Sequence, residues 1–240
     1  VRFYEFKEDE KRVDIFNERF YKIGDKFYRN VTTILGIIHP GENLNEWYKN
    51  VGHNANIIID RAGKFGTAFH QLVEHYLLEE TIKYHDIQYL GEQTATALWE
   101  RFMIWLDFWN ELNEKHEVIY KTEGIEYICH SEEHEYAGTI DLVAKIDGIP
   151  TIFDWKTGNH IGVKEQRQQT AYMGAMGVKE ARLVHIPAKK PNKKGYFIKK
   201  VEFTDKRFKL FLAIKDVFDD ENKDEPKVLT LPLEVNIKEK

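Results

Sequence analysis

The chain has 240 residues and a net charge of −5, so it can bury one sizeable core and carries no uniformly basic coat for nucleic acid. Its single cysteine, Cys129, excludes an intramolecular disulfide and any cysteine-only metal or iron–sulfur site. No apolar run reaches membrane-spanning length and the first residues, VRFYEFKEDEKR, carry no signal-peptide core, which predicts a cytoplasmic or otherwise intracellular protein with no membrane partner.

From the N-terminus, Phe16, Phe20, Tyr21 and Ile23 alternate with polar residues, Gly24-Asp25 follows, and Phe27 and Tyr28 resume the apolar pattern, which predicts a short hairpin. Val31 to Leu35 continues it as a strand or enters a helix, Pro40-Gly41 is a break, and Leu44 to Asn50, with Trp47, reads as a short helix. In the stretch 56–80, Phe69, Leu72, Val73 and Tyr76 fall at i, i+3, i+4 and i+7, one face of an amphipathic helix. His70 borders that stripe, and Gly66, His70 and Glu74 stack along its flank. A glycine one turn before a histidine lets other groups approach the imidazole, although a lone helical histidine is more often a surface or hydrogen-bonded residue than a ligand. Residues 92–117 predict a second long helix whose Leu98, Trp99, Phe102, Trp105, Leu106 and Trp109 read as core rather than as base-stacking residues. Val118 to His130 then reads as a strand, with a bend, carrying Glu123 and Glu126, and Ser131 to Tyr136 as a polar turn.

The most informative stretch is GTIDLVAKIDGIPTIFDWK, Gly138 to Lys156. Two apolar runs flank Asp147-Gly148, the strongest short hairpin signal, so Ile146 pairs with Ile149 and, counting outward, Asp141 faces Asp154. Opposed like charges repel across a strand pair, and a carboxylate set in apolar sequence neutralises or finds a cation. Period two then puts Lys156 on the face of Asp154, with Phe153 and Trp155 pointing away. Two carboxylates and an ammonium on one patch suit a hard divalent cation, Mg²⁺ or Mn²⁺, and phosphoryl chemistry. The spacing Asp-x-Lys is worthless by itself, because Glu5-Phe6-Lys7 and Glu225-Pro226-Lys227 show the same carboxylate-x-Lys pattern.

After Lys156, Thr157-Gly158-Asn159 ends the strand and Val163 to Gly177 forms a helix on which Gln168 and Tyr172 share a face at i, i+4. The segment Gly158 to Lys164 is no phosphate loop, since its glycine spacing is short and no Ser or Thr follows the lysine; no nucleotide cofactor is expected. Ala181 to Ile186 is an apolar strand. Lys189, Lys190, Lys193 and Lys194, followed by Tyr196 and Phe197, form the best candidate for phosphate-backbone contact, with the two aromatics available for stacking and a solvated hairpin tip as the plain alternative. Phe208, Phe211, Leu212 and Lys215 predict a terminal helix, and Asp216 to Glu225 an acidic loop.

Gly66 with His70, Gly138 with Asp141, Asp154-Trp155-Lys156, and Gln168 with Tyr172 follow one another in the order found in PD-(D/E)XK nucleases, and the chain resembles their RecB-like exonuclease branch, including phage RecB-like nucleases and the mitochondrial genome maintenance exonuclease. The resemblance implies an α/β, restriction-endonuclease-like αβββαβ core with a mixed central sheet flanked by helices. It implies a single nuclease domain over 1–240, with an N-terminal extension (1–55, a hairpin and helical additions), a catalytic core (56–204) and a C-terminal helix and tail (205–240). By the same resemblance His70, Asp141, Asp154 and the Trp155 carbonyl bind one or two Mg²⁺ or Mn²⁺ ions, Asp141, Asp154 and Lys156 are catalytic, Gln168 and Tyr172 orient the scissile strand, and Glu126 is an accessory acid. The implied function is exonucleolytic hydrolysis of single-stranded DNA or duplex ends in recombination, repair or phage DNA processing. A phage-encoded origin and a helicase or recombination partner on a separate chain fit it. A structure-specific endonuclease and a non-cleaving DNA-binding subunit are the alternatives.

Overall fold

The computed structural model describes residues 11–15, 18–38, 42–223 and 228–230. Three N-terminal strands, β1 (Lys11–Ile15), β2 (Glu18–Ile23) and β3 (Lys26–Asn30), form an antiparallel meander turned by Gly24 at φ 57°. The chain then enters α1 (Val31–Ile34), which settles the open reading of that segment: Asn30 caps it, its Oδ1 accepting from Thr32 N at 3.1 Å. Helices α2 (Glu42–Val51), α3 (Ala55–Leu77) and α4 (Glu92–Lys115) follow. The centre of the fold is β4 (Val118–Ser131), β5 (Tyr136–Ile146), β6 (Ile149–Lys156), α5 (Val163–Met176) and β7 (Glu180–His185). With α3 this is the αβββαβ order, and β8 (Phe197–Glu202), α6 (Asp205–Glu221) and β9 (Val228–Thr230) extend it. Phe16 and Pro40-Gly41 lie outside the described residues.

The nine strands among the described residues share one mixed sheet in the order β1-β2-β3-β5-β6-β7-β8, with β4 paired to β5 and β9 to β3. Helices α3 and α4 cover one face through Phe69, Leu72 and Val73 and through Phe102, Trp105 and Trp109, packed on Leu142, Phe153 and Trp155. Helices α1, α5 and α6 cover the other with Ile34, Met173 and Phe211 over Ile152, Leu183 and Val201. Trp105 and Trp155 are fully buried and meet edge to face at 5.6 Å, so the tryptophans of α4 are core, as their spacing predicts.

One expected loop is helical. Asp216–Glu221 continues α6 because the apolar period runs through the acids: Phe211, Lys215 and Phe218 are buried on one face, and Lys215 pairs with Asp219 at 2.7 Å. In the core, a hydrogen bond from Tyr136 Oη to the Ala171 carbonyl at 2.8 Å ties β5 to α5. Tyr136→Phe should therefore lower unfolding free energy by about 1 kcal/mol in a denaturant titration, with cleavage kinetics unchanged.

Candidate active site

The hairpin β5–β6 has the register read from its turn: Ile146 pairs with Ile149 and Leu142 with Phe153. Asp147 at φ 51° and Gly148 at φ 80° give the two left-handed residues of a tight turn, and Asp147 accepts from Glu117 N at 2.9 Å and pairs with His116. One step beyond Leu142–Phe153 stand Asp141 and Asp154. There the ladder stops, and Trp155 N donates to Asp141 Oδ2 at 2.6 Å instead. Strand β5 changes neighbour at this point, since Ala137 is paired with β3 and Leu142 with β6, and Asp141 lies in the fork.

On the other side of β5, Ile125 pairs with Leu142 and Tyr127 with Ile140, which sets Glu126 opposite Asp141. Glu126 takes φ 48°, at the end of a bulge that shifts the register between Tyr120 and Ile125. Three carboxylates thus stand abreast on three adjacent strands. Onto them α3 brings His70, whose Nδ1 is 3.2 Å from Asp141 Oδ1. Ligand atoms of His70, Glu126 and Asp141 all lie within 4.8 Å of one another. Asp154 is turned to Lys156, with Nζ 2.9 Å from Oδ1 and 2.7 Å from Oδ2; the latter oxygen is buried with no hydrogen bond aligned on it.

The electrostatics follow from this crowding. Burial works against the Asp141 charge, yet His70, Lys156 and the Trp155 N–H together hold its pKa below the usual carboxylate range. Burial and the neighbouring Asp141 push Glu126 up to about 8. Asp154 rises to about 6, because burial and Asp141 outweigh the attraction of Lys156. Burial alone would depress His70, but Asp141 carries it to about 9. Crowding of three carboxylates thus makes two of them hold their protons more tightly than usual, and a divalent cation among them would relieve that repulsion.

The other sequence candidates divide. Gln168 Nε2 donates to Tyr172 Oη at 2.9 Å, and Tyr172 is buried against Gly138, where a Cβ would stand 2.4 Å from its Cε1. A Cβ at Gly66 would meet only Thr157 Oγ1, at 3.8 Å, an ordinary contact. Lys194 spends its charge on Glu111, 2.6 Å from Oε2, whereas Lys189, Lys190 and Lys193 are exposed. Tyr196 is not available for stacking: its ring is buried on Phe108 and its Oη donates to Glu111 Oε2 at 2.5 Å, while Phe197 is exposed.

Residues 47–230 match the family model of the PD-(D/E)XK nuclease superfamily, and the chain belongs to that superfamily. Among solved structures it is similar to an alkaline exonuclease, LHK-Exo, from Laribacter hongkongensis, at 12% identity and a TM-score of 0.37 over 48% of this chain and 62% of that one. The same exonuclease in complex with dAMP aligns at 14% identity and a TM-score of 0.37, again over 48% of this chain and 62% of that one. The structure of SSO0001 aligns at 12% identity and a TM-score of 0.35, over 67% of this chain and 86% of that one. This chain thus spans less than two thirds of the length of the alkaline exonuclease. No curated protein matches it. Among the described residues no helix is long and apolar enough to cross a membrane.

Proposed function

We propose that the protein is a divalent-metal-dependent deoxyribonuclease, hydrolysing phosphodiester bonds as an exonuclease on single-stranded DNA or duplex ends. The observation that carries this is the convergence of His70, Glu126 and Asp141 within 4.8 Å beside the Asp154–Lys156 pair. One imidazole nitrogen and several carboxylate oxygens suit Mg²⁺ or Mn²⁺, and the residues that would hold the ion are His70, Asp141 and Glu126, joined by Asp154 and the Trp155 carbonyl. Such an ion, when bound, supplies charge compensation for the phosphate and a lowered pKa for water. Burial alone would lower the Lys156 pKa, but Asp154 and Asp141 raise it, so this side chain acts as a fixed positive charge for the phosphate rather than as a base. Asp141 orients His70 and, through Trp155 N, fixes the end of β6. Gln168 and Tyr172 support the strand that carries Asp141, and Lys189, Lys190 and Lys193 offer contacts to the nucleic-acid backbone. DNA recombination, repair or phage DNA processing is the setting we assign, with a helicase or recombination protein as a partner.

The test is degradation of linear single-stranded, linear duplex and circular single-stranded DNA in Mg²⁺ or Mn²⁺, with EDTA as control. Shortened linear strands, intact circles and no reaction in EDTA are expected. Cut circles would overturn the exonuclease reading in favour of an endonuclease, and a DNA shift without cleavage would overturn the enzyme. The same ion should raise thermal stability without DNA present, by about 2.7 kcal/mol at a hundredfold excess over its Kd. An unchanged melting curve in Mn²⁺ would remove the metal from the site.

A further inference from the structure

A cleft of about 850 Å³ opens between α3, the first half of α4 and the residues that follow Lys156. Its walls include Arg61, Lys64 and Phe65 of α3, Arg101 of α4, and Thr157 and Asn159. That volume accommodates a nucleotide or two rather than a duplex. Two of its walls continue along the chain into the site: Thr157 follows Lys156, and Phe65 precedes His70 by five residues, about 7.5 Å along the helix axis.

Arg101 sets the chemistry. Its guanidinium lies over the Phe65 ring, 4.4 Å from the centroid, and its Nε is buried with no hydrogen-bond partner. With its Nε shielded and its plane laid on the ring, the guanidinium has its terminal N–H groups left for a ligand, and planar guanidinium is the group best matched to phosphate oxygens. Arg61 and Lys64 line the same cleft, and Lys64 is already matched by Asp60 at 2.8 Å. Only Glu92 opposes them among the lining residues.

We propose that this cleft is a phosphate subsite for the substrate strand, in which Arg101 takes a phosphate adjoining the scissile one while Phe65, Thr157 and Asn159 wall the nucleotide attached to it. The subsite rests on the nuclease reading for its substrate, and it makes Arg101 a determinant of where along the strand the carboxylates act. Nothing in the α4 sequence, which reads as core, marks this residue out.

The experiment is a walk of single neutral methylphosphonate linkages along a fluorescent single-stranded oligonucleotide, with Kd measured in EDTA for the full chain and for Arg101→Gln. At one linkage near the bound end the substitution should weaken the unaltered protein about tenfold and leave Arg101→Gln indifferent, the signature of a coupled pair. The salt dependence of log Kd should also flatten by about 0.7 in the variant, as for one lost contact to a single strand. Purely structural damage would lower affinity equally at every linkage, and that result overturns the proposal. If Arg101→Gln does not fold, Arg101→Lys decides: it keeps the charge and the salt slope but should lose at least threefold at that linkage, and unaltered affinity there overturns the subsite. Because binding is read without divalent metal, cleavage with no position effect sinks the subsite alone. A position effect without cleavage in Mg²⁺ or Mn²⁺ sinks the nuclease reading alone, and neither binding nor cleavage sinks both.

Discussion

Asp154→Asn is expected to reduce DNA cleavage by about a thousandfold and yet leave the fold as stable as before, whereas Asp141→Asn should lose both. The two aspartates are neighbours in one hairpin, and the difference lies in what each charge does in the folded protein. Asp141 is anchored by His70 and by Trp155 N at 2.6 Å, and its pKa is held low, so its ionised form is favoured by the fold. Removing that charge leaves a buried N–H and an imidazole poorly partnered, at a cost of about 1–3 kcal/mol. Asp154 is the opposite case. Its pKa is raised to about 6 by burial and by Asp141, so its ionised form is disfavoured by the fold, and a neutral amide of the same shape relieves repulsion that Lys156 only partly offsets. On the proposed mechanism cleavage would still need both, because neutral amides neither balance a divalent cation nor keep Lys156 in place. Steady-state cleavage of linear single-stranded DNA in Mn²⁺, paired with urea denaturation in EDTA, reads the two effects separately. An Asp154→Asn variant with more than a tenth of the original rate would remove Asp154 from the site, and equal destabilisation by both variants would refute the assignment of their charges.

Much of this was legible from the residues in order. Asp147-Gly148 pins the hairpin because both positions accept left-handed backbone, at φ 51° and 80°, and a pinned turn carries its register outward to Asp141 and Asp154 by counting alone. The stripe of α3 placed His70 at the border of the core, where it now reaches Asp141. What counting could not give is where the ladder lets go. The fork at Gly138 to Asp141 arises because β3 and β6 occupy the same side of β5 at different heights, a fact of sheet order that local pattern does not hold. Glu126 was suggested only by the family resemblance; its place opposite Asp141 depends on a bulge and on a non-glycine residue at φ 48°, which tertiary packing imposes. Arg101 was hidden for a different reason. A helix rich in buried tryptophan reads as core all along its length, and which of its charged residues faces a cleft is decided by the other walls. The basic loop misled in the same way: Tyr196 looked free to stack, but Phe108 and Glu111 on α4 claim it.

Gly138→Ala should be among the most disruptive single-methyl changes in the chain. An added Cβ would stand 2.4 Å from Tyr172 Cε1 and 2.9 Å from both its Cζ and its Oη, closer than any real packing allows. Neither side can yield easily. Tyr172 is 2% exposed and held by Gln168, and Gly138 sits in β5 paired with Cys129, three residues before Asp141. Overpacking of this kind typically costs about 1–3 kcal/mol, and here the displaced strand carries the carboxylate that His70 and Trp155 N grip. Cleavage should therefore fall by more than a hundredfold, since displacement of about 1 Å at a positioned group costs about that much. Stability alone would not distinguish a clash from the loss of strand geometry, so the decisive measurement is a double-mutant cycle. Tyr172→Ala opens a cavity and costs about 3–5 kcal/mol by itself, but it also removes the atoms that the added methyl would strike. On that background Gly138→Ala should cost less than about 1 kcal/mol or even stabilise, because alanine loses less conformational freedom than glycine on folding. Additive costs across the cycle would mean that Gly138 is required by its own backbone and not by the tyrosine ring, and the coupling between α5 and the strand bearing Asp141 would then have to be abandoned.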